Sequence, residues 1–238
     1  MSPEVHPLEI VGRVGETAIG GLVERLRGTV VGPDDETYDS ARDVWNGLVN
    51  RYPALVVRAA DADDVATAVA FARDHDLDLS VRAGAHEQSG SAVVDGGVVV
   101  DLRDVDHVTV DAERRVANVG PGNSTADALA TTQEYGLAFP TGSAGSPGIA
   151  GTTLGGGVGW IRRKHGLAVD ALRSVKVVTA DGEVRTASPD ENPGLYWAVR
   201  GGGGNFGVVT AFEFDLHEVG PEVLAGLVVH PFDDAPDV

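Results

Sequence analysis

The sequence predicts an α+β fold, in which short strands and helices are separated by glycine-rich loops. Residues 54–58 and 77–81 are strand-like, and an alanine-rich helix pattern over 61–72 lies between them. In the second half an Asp-Gly turn at Asp181-Gly182 joins two strand patterns into a hairpin. The glycine loops run on into strands, whereas the usual dinucleotide-binding fold needs a glycine loop that opens a helix. These observations together favour a mixed fold of another kind.

The N-terminal half begins with a weakly amphipathic helix pattern and then alternates between strands and helices. The helix at 61–72 has acidic residues in its first turn, where the helix dipole favours them. In order, the predicted elements are a helix over 19–27, a short strand and turn over 29–35, strands over 54–58 and 77–81 with the helix 61–72 between them, and a strand within 93–102.

The C-terminal half is richer in strands. Pro193 falls in the first turn of a helix pattern, where its missing N–H costs nothing. The predicted elements are strands over 107–110 and 115–119, helices over 124–135 and 160–165, the hairpin 172–179 and 183–186, a helix over 190–199, and a strand over 208–216. Residues 220–238 hold one short apolar run and then an acidic, proline-bearing tail.

Composition sets limits on the chemistry and the location. The chain has 238 residues, 42% of them hydrophobic, which is enough for a sizeable core. It contains no cysteine, and this excludes disulfides, cysteine-ligated zinc and thiol catalysis. The N-terminus lacks a signal-peptide pattern, and no run approaches the roughly 20 apolar residues of a membrane span. The sequence therefore predicts a cytoplasmic protein.

The net charge of −18 excludes two classes of partner. Thirty-six acidic residues stand against eighteen basic ones, and the lysines are Lys164 and Lys176 alone. Such a surface repels nucleic acid and anionic membranes, so neither is expected as a partner. Many aspartates, almost no lysine and abundant Ala, Val and Gly resemble the composition of proteins from salt-loving archaea, where salt screens the repulsion.

The stretch from Val81 to Gly90 is the first candidate for a binding loop. A strand leads into small residues that carry one arginine, Arg82, and one histidine, His86. Small residues let the backbone approach a ligand closely, successive N–H groups can form a nest for phosphate oxygens, and arginine suits phosphate. The alternative is a glycine-containing hairpin loop without a ligand.

Two further glycine-rich segments are also candidates for ligand-binding loops. Residues 141–159 contain eight glycines, and the alternatives are a flexible linker or a ligand loop. Ile149, Leu154, Val158 and Trp160 place apolar residues in or beside this segment, which favours the ligand loop. Residues 202–207 match G-x-G-x-x-G literally but lead into a strand, so a nicotinamide-binding motif is not expected there.

Taken in order, the motifs resemble the flavin-binding domain of the berberine-bridge-enzyme-like oxidases, in the vanillyl-alcohol-oxidase superfamily. The resemblance covers about residues 32–220. Its markers are Asp43-Val44-Trp45-Asn46, residues 81–90, Asp95-Gly96-Gly97, residues 151–160, Arg163-Lys164-His165-Gly166-Leu167, Asp190-Glu191-Asn192-Pro193 and residues 200–209.

This resemblance implies a PCMH-type FAD-binding domain made of two α+β subdomains that clasp an extended FAD, without the usual substrate domain. The expected division is an N-terminal helical extension over 1–30, subdomains over 31–106 and 107–220, and an acidic tail or the start of a truncated substrate domain over 221–238. The residues that it assigns to FAD are Arg82, Ala83, Gly84, Ala85, His86, Glu87, Ser91, Thr141, Gly148, Gly151, Thr152, Gly155, Gly156, Gly159, His165, Gly207, Val208 and Val209.

Within this set the resemblance gives each segment a part. Residues 82–87 would wrap the pyrophosphate, residues 148–159 would follow the ribityl chain and the isoalloxazine ring, and Val208-Val209 would lie near the adenine. His86 matches the histidine that often bonds covalently to the flavin 8α-carbon, and the alternative for it is an ordinary loop histidine. His165 would be a structural contact beside the flavin.

The loop departs from the family pattern at three positions. Ala83 and Ala85 stand where glycine is usual, and an alanine forced to φ above zero would cost roughly 1–2 kcal/mol. Glu87 replaces a small polar residue and would repel a pyrophosphate unless it is screened. A second, cysteinyl link to the flavin is impossible without cysteine, and Ala144 falls near that place.

The resemblance implies an FAD-dependent oxidoreductase that accepts a hydride from an alcohol, sugar or amine carbon of a small-molecule substrate and passes electrons to oxygen. No catalytic base and no metal ligand is assigned, and whether the chain alone is an enzyme is left open. The alternatives are a non-catalytic FAD-binding remnant, one chain of a split oxidase completed by a separately encoded substrate domain or by self-association, and a glycine-rich domain without a ligand. Three separate glycine loops disfavour the last.

Overall fold

Two large sheets form the centre of the molecule, as seen in a computed structural model that describes residues 6–237. The first sheet contains β1 (Thr29–Val31), β2 (Leu55–Arg58), β3 (Leu79–Arg82) and β4 (Val98–Asp101) in the spatial order β1-β2-β4-β3. β1 runs antiparallel to β2, whereas β4 pairs in parallel with both β2 and β3. The central strand β4 is buried along its whole length, as expected of a strand that is covered on both faces.

Helices cover the two faces of this sheet. On one face lies α4 (Ala62–Asp74), which Asp61 caps by accepting hydrogen bonds from the N–H groups of Asp63 and Asp64. On the opposite face α3 (Tyr38–Arg42) packs its buried Tyr38 and Ala41 near Val56 and Val99. The alternation of side chains along each strand therefore separates an α4 face from an α3 face.

An N-terminal pair of helices packs against α4. They are α1 (Pro7–Val14) and α2 (Glu16–Val23), and Leu22 of α2 is buried with Val65 and Ala68. The buried carboxylate of Asp64 accepts hydrogen bonds from the backbone N–H groups of Arg27, Gly28 and Ala60 at 2.9, 2.8 and 2.9 Å. Asp64 thus joins the end of the N-terminal extension to α4.

The second sheet is antiparallel throughout. It contains β5 (Val108–Asp111), β6 (Val116–Val119), β8 (Leu172–Val178), β9 (Val184–Ala187) and β10 (Val208–Asp215) in the order β5-β6-β10-β8-β9, and β7 (Leu137–Ala138) pairs separately with β11 (His217–Glu218). Its helices are α5 (Thr125–Gln133), α6 (Ile149–Leu154), α7 (Arg162–His165) and α8 (Pro193–Gly202). Phe139, Phe212 and Phe214 are at the centre of its core.

The two sheets meet through α4. Val178 and Val208, which belong to the second sheet, are buried in the same cluster as Val65 and Val69 of α4. The loops that leave β3 and precede α6 meet beside this junction. The fold therefore brings together glycine segments that are far apart in sequence.

Several predicted elements differ from the structure. In place of one helix over 19–27, the structure has the two helices α1 and α2, and α2 ends at Val23. The strand within 93–102 is confined to β4, and the helices predicted over 160–165 and 190–199 begin later, at Arg162 and Pro193. The other predicted strands and helices agree with the structure to within a few residues.

Two alternatives from the sequence are wrong. The hairpin interpretation of the loop after Val81 fails because β3 and β4 are parallel neighbours and a hairpin joins antiparallel strands. The linker interpretation of residues 141–159 fails because α6 lies within this segment and buries Ile149 and Leu154 in the core. Val158 and Trp160, however, are exposed.

Residues 1–5, which include the region inspected for a signal peptide, and residue 238 of the acidic tail lie outside the described residues. Among residues 6–237, no helix combines the length and apolarity needed to cross a bilayer.

Candidate cofactor cleft

A cleft of about 1160 Å³ opens between the two sheets. Its walls come from the loop after β3, the first turns of α6, the glycine run between α8 and β10, and the end of α4 with the turn after β8. Apolar walls with a few polar groups are typical of sites for small molecules and cofactors. The volume slightly exceeds the usual range for such pockets, as expected for a large, extended ligand.

The loop after β3 reaches the cleft with exposed backbone. Ala83, Gly84, Ala85, His86 and Glu87 all line it. Ala85 has φ of +49°, in the left-handed region that alanine adopts at a cost. Ala83 is not among the residues with positive φ. The strain anticipated for one of the two alanines is therefore present at Ala85.

The loop before α6 touches the first loop at one point. A Cβ atom added to Gly84 would lie 2.4 Å from the backbone N of Gly148. Gly148 is also the N-terminal cap of α6, and it forms an isolated bridge with Ser124, the cap of α5. Because a side chain at either glycine would push the loops apart, the cleft at this point is closed by bare backbone.

The third glycine segment connects α8 to β10. The helix is interrupted at Arg200 and Gly201, where the backbone leaves helical values. Gly207 has φ of +137°, and a Cβ there would lie 2.4 Å from the carbonyl oxygen of Val178. Only glycine fits at this position, and it turns the chain so that Val208 and Val209 enter β10 on the wall of the cleft.

His86 is half-buried at the wall of the cleft and stacks on the indole of Trp45. The ring centroids are 4.9 Å apart and the ring planes differ by 23°. The backbone N–H of Trp45 donates to the carbonyl of Ala85 at 3.2 Å. The side-chain amide of Asn46 donates to the carbonyl of Gln88 at 2.8 Å. The segment before β2 therefore fixes the loop on both sides of His86.

Glu87 is satisfied within its own loop. Its carboxylate accepts hydrogen bonds from the hydroxyls and backbone N–H groups of Ser89 and Ser91. These bonds, those from Ser89 first, lower the pKa of Glu87 to about 2. The carboxylate is therefore charged at neutral pH, and the hydrogen bonds from the two serines stabilise its negative charge.

Arg82 lies beneath the cleft and does not line it. Its guanidinium is buried on the α3 face of the sheet, donates to the carbonyl of Ala41 at 2.6 Å and lies 4.0 Å from the carboxylate of Asp101. The guanidinium of Arg103 also donates hydrogen bonds to both carboxylate oxygens of Asp101. Burial is the main cause that lowers the pKa of Arg82. Arg82 supports the base of the loop.

The structure brings thirteen of the eighteen assigned residues to the cleft. They are Ala83, Gly84, Ala85, His86, Glu87, Ser91, Gly148, Gly151, Thr152, Gly155, Gly207, Val208 and Val209. The other five, Arg82, Thr141, Gly156, Gly159 and His165, do not line it. His165 instead borders a smaller cavity of about 330 Å³ next to Glu218, and its ring stacks on that of His217 at 4.0 Å.

Several lining residues were not assigned from the sequence. They include Ser80, Val178, Thr179, Ala180 and residues 201–206. Trp45 and Asn46 were recognised as part of a motif, but without a role. For residues 201–206 the literal glycine motif was the available signal, because a bare backbone run suits a close ligand contact even when no helix follows.

The chain is similar to a family of FAD binding domains and to a known oxidase. A family model described as an FAD binding domain matches residues 53–188. The (R)-6-hydroxynicotine oxidase of Paenarthrobacter nicotinovorans is 41% identical over 203 residues, which are 85% of this chain and 44% of that protein. The chain spans less than half the length of this curated relative.

Solved structures of oxidases are also similar to this chain. A crystal structure of 6-hydroxy-D-nicotine oxidase from Arthrobacter nicotinovorans superposes with a TM-score of 0.80 at 41% identity, over 81% of this chain and 43% of that one. Glucooligosaccharide oxidase from Acremonium strictum, described with a 6-S-cysteinyl, 8α-N1-histidyl FAD, superposes with a TM-score of 0.80 at 30% identity, over 84% and 43%.

Proposed function

The chain belongs to the FAD-binding domain family of FAD-linked oxidoreductases, and from this premise we propose that it is the flavin-binding part of an oxidase or dehydrogenase. The observation that carries the proposal is the cleft wall made of bare backbone where Gly84 meets Gly148. Backbone without side chains is what a long ligand with a pyrophosphate needs for close contact.

Different segments of the chain would contact different parts of FAD. The backbone of residues 83–87, which lines the cleft, would offer N–H groups to the pyrophosphate. Arg82 supports the loop from below and does not itself line the cleft. Gly148 to Gly155 would lie along the ribityl chain and the isoalloxazine ring, and Val208-Val209 would lie near the adenine. When bound, FAD supplies the group that accepts a hydride from substrate carbon.

His86 is the proposed point of covalent attachment. It lies on the cleft wall, and a structural neighbour at 30% identity is described with a histidyl FAD. Attachment would replace an imidazole N–H bond of His86 and a C–H bond of the 8α-methyl group by one C–N bond. The two electrons and two protons lost in this exchange would pass by way of the flavin to dioxygen, giving hydrogen peroxide.

The substrate would be a small molecule with an oxidisable alcohol, sugar or amine carbon. The relatives include a nicotine oxidase and carbohydrate oxidases, and this range supports the class without selecting a member. Among the described residues we assign no catalytic base. The remaining part of the catalytic site would come from further protein.

The net charge of −18 supports a further part of the proposal, a working environment in a salt-rich cytoplasm. At roughly 1 M salt the Debye length is about 3 Å, so the acidic surface would be screened. A melting temperature that does not rise between 0.1 and 2 M KCl would contradict this part alone.

The experiment is an absorbance spectrum of the chain purified in high salt, taken before and after acid precipitation. Flavin bands that remain with the precipitate are expected. Flavin released into the supernatant would support the cleft and contradict the covalent bond. A colourless protein that takes up no added FAD would contradict the proposed function, and a flavin-loaded protein that no partner or substrate can reduce would favour a non-catalytic flavin-binding module.

A further inference from the structure

The indole of Trp45 is the side chain that contacts the imidazole of His86 in a stacked geometry. A centroid distance of 4.9 Å and an interplanar angle of 23° fall within the range of offset stacking. Among the described residues, the His86 ring makes no hydrogen bond. The orientation of the imidazole in the cleft wall therefore depends on the stack and on the backbone that carries it.

The position of Trp45 is itself fixed by its neighbours. Val44, which precedes it, is buried in the core on the α3 face, and Tyr38 donates a 2.7 Å hydrogen bond to the carbonyl of Pro53. The backbone of Trp45 and the side chain of Asn46 bind the loop just before and just after His86. The segment that carries the indole is therefore hydrogen-bonded to the loop that carries His86.

Trp45 is nevertheless 61% exposed, so it contributes little to the core. Trp160 and Trp197 are more exposed still, at 82% and 76%, so what distinguishes Trp45 is its contact with a ring of the cleft wall. The face that it does cover is that of His86. This combination indicates a role at the cleft and not in stability.

We propose that Trp45 is a positioning residue for His86, which holds the imidazole where it can attack the flavin and so sets the rate of covalent attachment. This inference rests on the proposed attachment at His86. A free imidazole samples several rotamers, whereas bond formation needs the reacting atoms within about 3–3.5 Å and aligned. Since a misplacement of about 1 Å can cost roughly a hundredfold in rate, loss of the stack is expected to slow attachment by about ten- to a hundredfold.

The test follows acid-stable flavin over time after FAD is added to the full chain prepared without flavin. Trp45→Ala is expected to slow attachment as stated, and Trp45→Phe to restore most of the rate because it keeps an aromatic face. Trp197→Ala is the matched control, since Trp197 is 76% exposed on α8 and does not line the cleft. It should leave the rate unchanged.

A second measurement separates positioning from a general loss of structure. In a His86→Ala background, where no bond can form, adding Trp45→Ala should change the FAD dissociation constant by less than about threefold, or 0.7 kcal/mol. Equal rates in wild type and Trp45→Ala would overturn the inference and leave the proposed function intact, as would failure of Trp45→Phe to rescue. A wild-type chain without acid-stable flavin would contradict the attachment itself, and with it this role.

Discussion

The backbones of Gly84 and Gly148 meet with no space for a side chain between them. A Cβ on Gly84 would lie 2.4 Å from the N atom of Gly148, and a Cβ on Gly148 would lie 2.7 Å from the N atom of Gly84. One glycine follows a strand of the first sheet and the other caps a helix of the second. The contact therefore joins the two halves of the molecule at the wall of the cleft.

Replacing Gly84 by alanine should separate these loops. We expect Gly84→Ala to lower the free energy of unfolding by about 1–3 kcal/mol and to weaken FAD binding, because the clash is with backbone atoms that cannot rotate away. Gly194→Ala is the control, since nothing lies within 4 Å of a Cβ there. Denaturant unfolding measures both variants. A Gly84→Ala protein as stable as wild type would show that the loops can part freely.

The two alanines of the loop should respond to glycine in opposite directions. Ala85→Gly removes the strain of a positive φ, and after the greater entropy of the unfolded chain is subtracted we expect a gain of up to about 1 kcal/mol. Ala83→Gly relieves no such strain and should lose about 0.5–1 kcal/mol. The comparison uses midpoints of denaturant unfolding. Equal shifts for both variants would contradict the left-handed conformation at Ala85.

The carboxylate of Glu87 should titrate at acidic pH. Because the folded-state pKa is about 2 and the ordinary value is 4.5, the stabilisation from this carboxylate is complete above about pH 4.5 and is lost as the pH falls through 2. We expect an NMR titration of the Glu87 side chain to show a midpoint near 2. Substituting both Ser89 and Ser91 with alanine should move the midpoint up towards 4.5. A wild-type midpoint already near 4.5 would show that the serines do not hold the charge.

The N-terminal helices should depend on the buried carboxylate of Asp64. Asp64→Ala leaves three backbone N–H groups without their acceptor, and we expect it to cost about 2–4 kcal/mol. Its neighbour Asp63 is exposed in the same helical turn, and Asp63→Ala should cost less than about 1 kcal/mol. Thermal or denaturant unfolding distinguishes these. Similar losses for the two variants would mean that Asp64 acts only through the helix dipole.

The sequence predicted best what local patterns determine. The hairpin at Asp181-Gly182 and the helix that Asp61 caps both appear as expected, since turn chemistry and capping act within a few residues. The insertion of β4 between β2 and β3 was not predicted, because strand order depends on contacts between distant segments. The hairpin alternative was wrong for the same reason.

Of the residues that the resemblance assigns to FAD, most of those in the glycine loops lie together, whereas Arg82 and His165 lie elsewhere. The glycine loops converge on one cleft, as close backbone approaches require. Arg82, however, donates to the carbonyl of Ala41, so its side chain points towards α3 and does not line the cleft. His165 ends α7 beside the smaller cavity, where its ring stacks on that of His217.

The most direct test of the account is to find which peptide carries the flavin. After loading with FAD, cleavage at arginine and lysine would release residues 83–103, whose one histidine is His86, while His165 would fall in residues 165–173. We predict acid-stable flavin fluorescence on peptide 83–103 and none after His86→Ala. Flavin on any other peptide, or a wild-type chain that binds no FAD, would contradict it.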